Sequence, residues 1–266
     1  MKKVKKLKVL ELDKEVIKKL EEAPMNNYHK ILNIMFTNKI IHQVWEGYSE
    51  KYIPIRLKIL SQTWIENNPD WEYHLWTGKE MRELVISSFP EYENLYNSLP
   101  RDVQRWDIIR YMILYKYGGI YTDLDTECFK PINQLVNDIS LGFGEEPPIE
   151  KLMPIRIGNA FLVSEKGNKG WIYIIENIKK NLDVSKSSIK SVMDSTGPNM
   201  INNIFPYIKK NFCAKSISYK LVTPVSKYDV NDFIYHNSIK KFNEKIKEAY
   251  CAHYFFGSWD KKISLY

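Results

Sequence analysis

Cysteine is scarce and badly spaced for structural use. Cys128, Cys213 and Cys251 are odd in number and far apart, which excludes both a disulfide framework and a C-x-x-C metal site. No apolar run approaches the roughly 18 residues of a membrane span. The N-terminus is basic but has no apolar h-region behind it, so it does not read as a signal peptide. Internal repeats and low-complexity segments are missing. So is the Gly-rich phosphate loop near the N-terminus that a sugar-phosphate nucleotidyltransferase would want. Together these absences predict a reduced, cytoplasmic compartment, with contact at the inner membrane face left open.

The 266 residues, 44% of them hydrophobic, suffice for one sizeable core and a small appendage. Aromatics make up 14%, with 18 Tyr and 7 Trp, enough to stack on bases or sugars. A formal charge of +7 favours anionic partners such as nucleoside diphosphates. The lysines are scattered rather than set in a nucleic-acid reading motif, so no nucleic-acid partner is expected.

Residues 1–38 are charged and helix-prone around Pro24 and read as a helical N-terminal extension. The core reads from residue 39. Lys39 to Gly47 (K-I-I-H-Q-V-W-E-G) is a strand rich in β-branched residues. Residues 54–67 form a helix with Pro54 at its first turn. Asn67 to Asp70 is a turn, and residues 71–76 alternate as a second strand. Residues 79–97 are helical with a break near Pro90. Further on, strands are expected at 141–144, 158–163 and 219–225, and a Pro-rich acidic loop at 145–154. Helices are expected at 170–182 and after Pro198, with loop plus helix at 236–249. Strands alternating with helices mark an α/β fold with a mostly parallel sheet.

The most informative stretch is Arg101 to Pro131. Residues 102–117 read as an amphipathic helix, ended by Gly118-Gly119. Residues 120–125 (I-Y-T-D-L-D) then read as a strand, in which Asp123 and Asp125 project together while Leu124 turns into the core. Two adjacent carboxylates repel, and a divalent cation at their tips relieves this. An oxygen-rich site with open positions suits Mg²⁺ or Mn²⁺ and admits phosphate oxygens. Alone, a D-x-D is more often an acid-rich turn. Asp107 and Arg110, three apart on one helix face, are alone more often a surface ion pair. Here their helix feeds the acidic strand through Gly-Gly, so both pairs can converge on one cleft.

The pattern R-W-D-I-I-R-Y-x(6)-G-G-I-Y-x-D-x-D resembles the family-32 glycosyltransferases with a DXD sugar-binding region. That group includes the yeast initiating mannosyltransferase type and bacterial capsular transferases, and the glucosylating clostridial toxins share its core. I-I-H-Q-x-W at 40–45, the strand ending in Leu75-Trp76, and His253 followed by Gly257-Ser258-Trp259 are similar too. Glu46-Gly47 departs from the family's usual G-G or L-G pair.

The resemblance implies a GT-A fold over residues 39–266 and transfer of a hexose from a nucleoside-diphosphate sugar, with UDP-sugars favoured over GDP-sugars. The acceptor is a hydroxyl of a glycan or lipid-linked substrate, as in bacterial capsule or surface polysaccharide synthesis. Asp125 then ligates Mn²⁺ or Mg²⁺, Asp123 contacts the metal or the ribose, and His253 completes the metal site. Asp107 and Arg110 hold sugar hydroxyls or the diphosphate. Trp45 stacks the base, and Tyr121, Asn159, Ser258 and Trp259 line the donor site. The family is assigned as retaining. With no obvious carboxylate nucleophile, same-face displacement assisted by the leaving diphosphate is the expected course. Two alternatives are a catalytically silent binding protein of the same fold and a toxin-like protein glycosyltransferase.

Overall fold

The continuous apolar runs of the central strands dictate a sheet covered on both faces. In the third strand Ile120 and Tyr121 point to opposite sides, as do Leu162 and Val163 in a later one, and all four are buried. The structure, a computed structural model, describes residues 38–46, 53–148, 154–236 and 238–257. The expected N-terminal extension, apart from Asn38, and the pair Ser258 and Trp259 lie outside the described residues. No helix among the described residues is long and apolar enough to cross a membrane.

Six strands form one mixed sheet: β1 (Ile40–Trp45), β2 (Glu72–Thr77), β3 (Gly119–Thr122), β5 (Leu141–Glu146), β6 (Arg156–Ser164) and β7 (Lys215–Ile217). Their spatial order is β2-β1-β3-β6-β5-β7. β1 runs parallel to β2 and β3, and β5 parallel to β7, while β6 is antiparallel to β3 and β5. The mostly parallel α/β expectation holds, with β6 as the reversed strand. Two short strands, β4 (Thr126–Cys128) and β8 (Cys251–His253), pair separately and antiparallel. Cys128, Cys213 and Cys251 are all free thiols.

One face of the sheet carries Ile41, Ile120, Phe161 and Val163 against Trp64 of α1 (Ile55–Asn67). The other carries Tyr121, Phe143 and Leu162 against α4 (Asp102–Tyr117), which follows α2 (Gly78–Ser88) and α3 (Glu93–Ser98). The short α5 (Asn133–Val136) and the longer α6 (Lys169–Asn181) come next. They are followed by α7 (Ile189–Ser195), α8 (Pro198–Phe212), α9 (Tyr219–Val222), α10 (Lys227–His236) and α11 (Ile239–Ile246).

Four expectations need correction. α4 is not amphipathic: every residue from Asp107 to Leu114 is buried, because the helix lies between the sheet and α6. The strand expected at 219–225 is a single helical turn, α9, closed by Thr223 N–H donating to the Tyr219 carbonyl at 2.8 Å. The loop expected from 145 begins later, since Glu145 and Glu146 pair with β6. The D-x-D is a turn, since β3 ends at Thr122.

The Gly-Gly junction behaves as the sequence demands. Gly118 and Gly119 have φ of +70° and +92°, and a Cβ on Gly119 would stand 2.3 Å from the Ile40 carbonyl oxygen. That tight exit sends the chain from α4 straight into the sheet. Beside it His42 is buried. Its Nε2 lies 3.0 Å from the Gly118 carbonyl, and its Nδ1 accepts the Trp76 indole N–H at 3.1 Å. His42 is therefore structural.

Burial lowers the pKa of His42 to about 3. Unfolding frees this ring to take a proton below pH ~6.5. Between those values the unfolded chain binds more protons, so the contribution is complete above pH ~6.5 and is lost as pH falls toward 3. The slope approaches about 1.4 kcal/mol per pH unit. Urea unfolding of wild type and His42→Gln at pH 7, 6, 5 and 4 should show the extra acid-side slope in wild type alone.

Candidate active site at the strand ends

β1, β3 and β5 all end at one edge of the sheet, where the antiparallel β6 begins. Ligands of open α/β sheets bind at such carboxyl ends. Asp123 leaves β3 at this edge, its N–H donating to the Ala160 carbonyl at 2.9 Å. Thr126 then closes a turn on Asp123, with N–H and hydroxyl both donating to the Asp123 carbonyl, at 3.2 and 2.6 Å. Gln43 donates to the same carbonyl at 3.0 Å. This turn, rather than strand alternation, brings the two carboxylates together, while Leu124 is buried as expected.

Behind Asp123 lies a buried network. The Arg110 guanidinium is 3.1 Å from Asp123 Oδ1 and 3.0 Å from Asp107 Oδ1, and donates to the Asn159 carbonyl at 2.7 Å. Its Cζ stands 4.7 Å over the Tyr121 ring, and the Tyr121 hydroxyl donates to Asp123 Oδ1 at 2.8 Å. Asp107 accepts from Thr196 Oγ1 at 2.7 Å and from Asn159 Nδ2 at 3.0 Å. Asp107 and Arg110 are only 4% and 5% exposed, so their ion pair is internal rather than a surface pair. Burial pushes the Asp107 carboxyl up, against Arg110, Thr196 and Asn159. Burial also opposes the Arg110 charge, but Asp123, Tyr121 and Asp107 outweigh it and raise the guanidinium further.

In front of this network β8 delivers His253, directly opposite Thr126 in the β4–β8 ladder. His253 Nε2 lies 3.1 Å from Asp125 Oδ1 and 4.0 Å from Asp123 Oδ2. Asp125 Oδ2 accepts the Phe256 N–H at 2.8 Å, while its carbonyl accepts the Tyr254 N–H at 2.9 Å. The chain makes this return through Phe255 at φ +53°, a costly conformation for a bulky residue that marks a constrained segment. Burial alone would lower the His253 pKa, yet Asp125, Asp123 and Glu146 carry it up to about 9. Burial pushes Asp125 up, but His253 and the Phe256 N–H hold it below the usual carboxylate range.

The three side chains fit a divalent cation. One ligand atom from each of Asp123, Asp125 and His253 lies within 4.8 Å of the others. Donors about 2.1 Å from a six-coordinate ion stand roughly 3 Å apart when adjacent and 4.2 Å when opposite. The observed 3.1 and 4.0 Å match those separations. The mixed nitrogen and oxygen set suits Mn²⁺.

The remaining expected residues fall into two groups. Tyr121 and Asn159 are turned inward on Asp123 and Asp107, so they orient the site from behind. Trp45 ends β1, half-buried, and its indole Nε1 has no hydrogen-bond partner among the described residues. Glu46 beside it accepts the Trp106 indole N–H at 3.1 Å and pairs with Arg82 at 2.5 Å. Sequence reasoning missed Gln43, Thr196 and Glu146. Gln43 sits within the I-I-H-Q-x-W pattern, and Thr196 precedes the G-P that opens α8, so both had a signal. Burial raises the Glu146 carboxyl, partly offset by His253 and Arg156.

Fold and site together define a GT-A arrangement with an acidic and histidine cluster at the D-x-D turn. Residues 54–140 match the family described as glycosyltransferase sugar-binding region containing DXD motif. Inositol phosphoceramide mannosyltransferase 3 of Schizosaccharomyces pombe is 32% identical over 172 residues, 65% of this chain and 46% of that protein. The initiation-specific alpha-1,6-mannosyltransferase of Candida albicans is 34% identical over 104 residues, 38% of this chain and 27% of that protein. An uncharacterized glycosyltransferase of Acanthamoeba polyphaga mimivirus is 26% identical over 234 residues, 85% of each. The chain spans about half the length of the first of these relatives. Among solved structures, the PaToxG glycosyltransferase aligns at 16% identity with a TM-score of 0.46, covering 88% of this chain and 87% of that one. The chain thus carries a DXD-type sugar-binding region related to those of mannosyltransferases and viral glycosyltransferases.

Replacing Arg110 strands two carboxylates around a buried gap. Arg110→Met should destabilise the fold by about 3–5 kcal/mol, the usual cost of breaking a buried pair from one side. Equilibrium urea unfolding at pH 7 measures it.

Proposed function

We propose that this chain is a metal-dependent glycosyltransferase that moves a hexose from a nucleoside-diphosphate sugar to a hydroxyl acceptor. The observation that carries the reading is the Asp123, Asp125 and His253 cluster set in the turn of a DXD-type region. Mannose is the first hexose to test, since several relatives are named mannosyltransferases. Glucose and galactose follow, from UDP as well as GDP donors. A glycan or lipid-linked acceptor remains the proposed partner; the relatives named for inositol phosphoceramide support the lipid-linked kind.

In this reading Asp123, Asp125 and His253 hold the cation, which when bound supplies positive charge against the departing diphosphate. Arg110 fixes Asp123 from behind and, with Tyr121, keeps one carboxylate oxygen turned away from the ligand side. Asp107, Asn159 and Thr196 hold Arg110 in place and need not touch the donor. Trp45 offers an indole face to the base, worth roughly 1–3 kcal/mol by analogy with base–aromatic stacking. Ser258 and Trp259 are proposed to close over the diphosphate. Transfer is proposed to retain the anomeric configuration.

The test is nucleotide release from UDP-glucose, UDP-galactose and GDP-mannose with Mn²⁺, Mg²⁺ or EDTA. Release from one donor should need the metal and stop with EDTA. Asp125→Asn should abolish it and weaken Mn²⁺ binding, read by electron paramagnetic resonance, at least roughly tenfold. A folded wild type that binds none of these donors in Mn²⁺ would end the enzyme reading.

A further inference from the structure

Two of the three thiols, far apart in the sequence, meet in the fold. Cys128 and Cys251 are direct partners in the β4–β8 ladder. The hydrogen bonds at its two ends fix the kind of pair they make. At one end the Tyr254 N–H donates to the Asp125 carbonyl at 2.9 Å. At the other the Phe129 N–H donates to the Tyr250 carbonyl at 2.8 Å. Hydrogen-bonded and non-hydrogen-bonded pairs alternate along an antiparallel ladder. Asp125–Tyr254 and Phe129–Tyr250 are of the first kind, which leaves Thr126–His253 and Cys128–Cys251 in the second. Residues paired in this way stand with Cα atoms about 4.5 Å apart and both side chains on one face. That separation falls within the roughly 4.4–6.8 Å that a disulfide spans.

The packing agrees. Cys128 and Cys251 both lie in the cluster of Ile41, Trp64 and Phe161, whereas Ala252 and Tyr254 lie in a separate one with Phe242. Joining the sulfurs gives up only weak thiol contacts. Cys128 Sγ is 3.4 Å from Asn68 Nδ2 and from the Lys130 carbonyl, and Cys251 Sγ is 3.4 Å from the Val222 carbonyl. Asn68 Nδ2 keeps its bond to the Trp64 carbonyl at 3.0 Å.

We infer that Cys128 and Cys251 are the two halves of a latent disulfide, closed by a small-molecule disulfide such as oxidised glutathione, that locks β8 onto β4. One thiol, as its thiolate, attacks the reagent and releases the first glutathione thiol. The second attacks the mixed disulfide and releases the other. The two cysteines lose two electrons and two protons, and the reagent leaves as two thiols. Both residues are buried, at 2% and 0% exposure, so exchange waits for a local opening of the three-residue ladder. Once closed, the bond holds His253, two positions on, opposite Thr126. In a reducing compartment the pair stays open, and the inference stands whether or not the chain transfers a sugar.

The test uses the folded chain, carrying Cys213→Ser to remove the exposed thiol, equilibrated without denaturant in mixtures of reduced and oxidised glutathione. Oxidising mixtures should yield a monomer about 2 Da lighter, whose digest joins the Cys128 and Cys251 peptides and separates with dithiothreitol. Hydrogen exchange in the peptide carrying the Tyr254 and Phe256 amides should slow by about tenfold or more in the oxidised form. Wild type digested in the same way should show the same cross-link, which guards against a poorly folding Cys213→Ser. The inference is overturned if both thiols remain alkylatable in the most oxidising mixture. It is equally overturned if mixed glutathione disulfides accumulate in place of the cross-link, or if the cross-link forms and exchange does not slow.

Discussion

A single buried guanidinium organises the strand-end site. Arg110 joins α4 through Asp107, β6 through the Asn159 carbonyl, and the D-x-D turn through Asp123. A cation this deeply buried is tolerated only with its charge matched and its donors used. Two carboxylates, a carbonyl and a tyrosine face provide that. The arrangement also makes Asp123 asymmetric: Oδ1 is taken by Arg110 and Tyr121, and Oδ2 is left toward His253. One carboxylate is thereby oriented by the core on one side and offered to a ligand on the other.

The fold was largely legible because its strongest signals are local. Strands β1 and β2, the break at Pro90, the Gly-Gly exit and Pro198 at the head of α8 each follow from propensity or backbone sterics. The errors came where tertiary contacts decide. α4 carries its apolar residues all round, and no periodicity distinguishes a helix covered on every side from a half-covered one until the packing is known. Residues 219–225 are a short apolar run, which periodicity cannot assign to strand or helix. Leu221 and Val222 pack as one helical turn beside β5 and β8.

The site was legible to the same extent. Asp123, Asp125 and His253 stood out by residue type and pattern. How they meet was not readable: the carboxylates converge through a turn held by Thr126 and Gln43, and the histidine arrives on a three-residue strand. Asp107 and Asn159 were expected at the ligand, but buried donors and acceptors claim their side chains. Glu146 carried no motif at all. Its position depends on an irregular strand end and on the bare backbone of Gly158.

The β4–β8 ladder joins residues far apart in the chain; Asp125 and Phe256 are 131 positions apart. At cellular synthesis rates that interval lasts on the order of ten seconds. Throughout it the emerging chain has both carboxylates but neither the imidazole nor the amide that steadies Asp125. The candidate cation cluster is therefore complete only after β8 has docked, so a cation that needs all three side chains would report completed folding rather than aid its early stages.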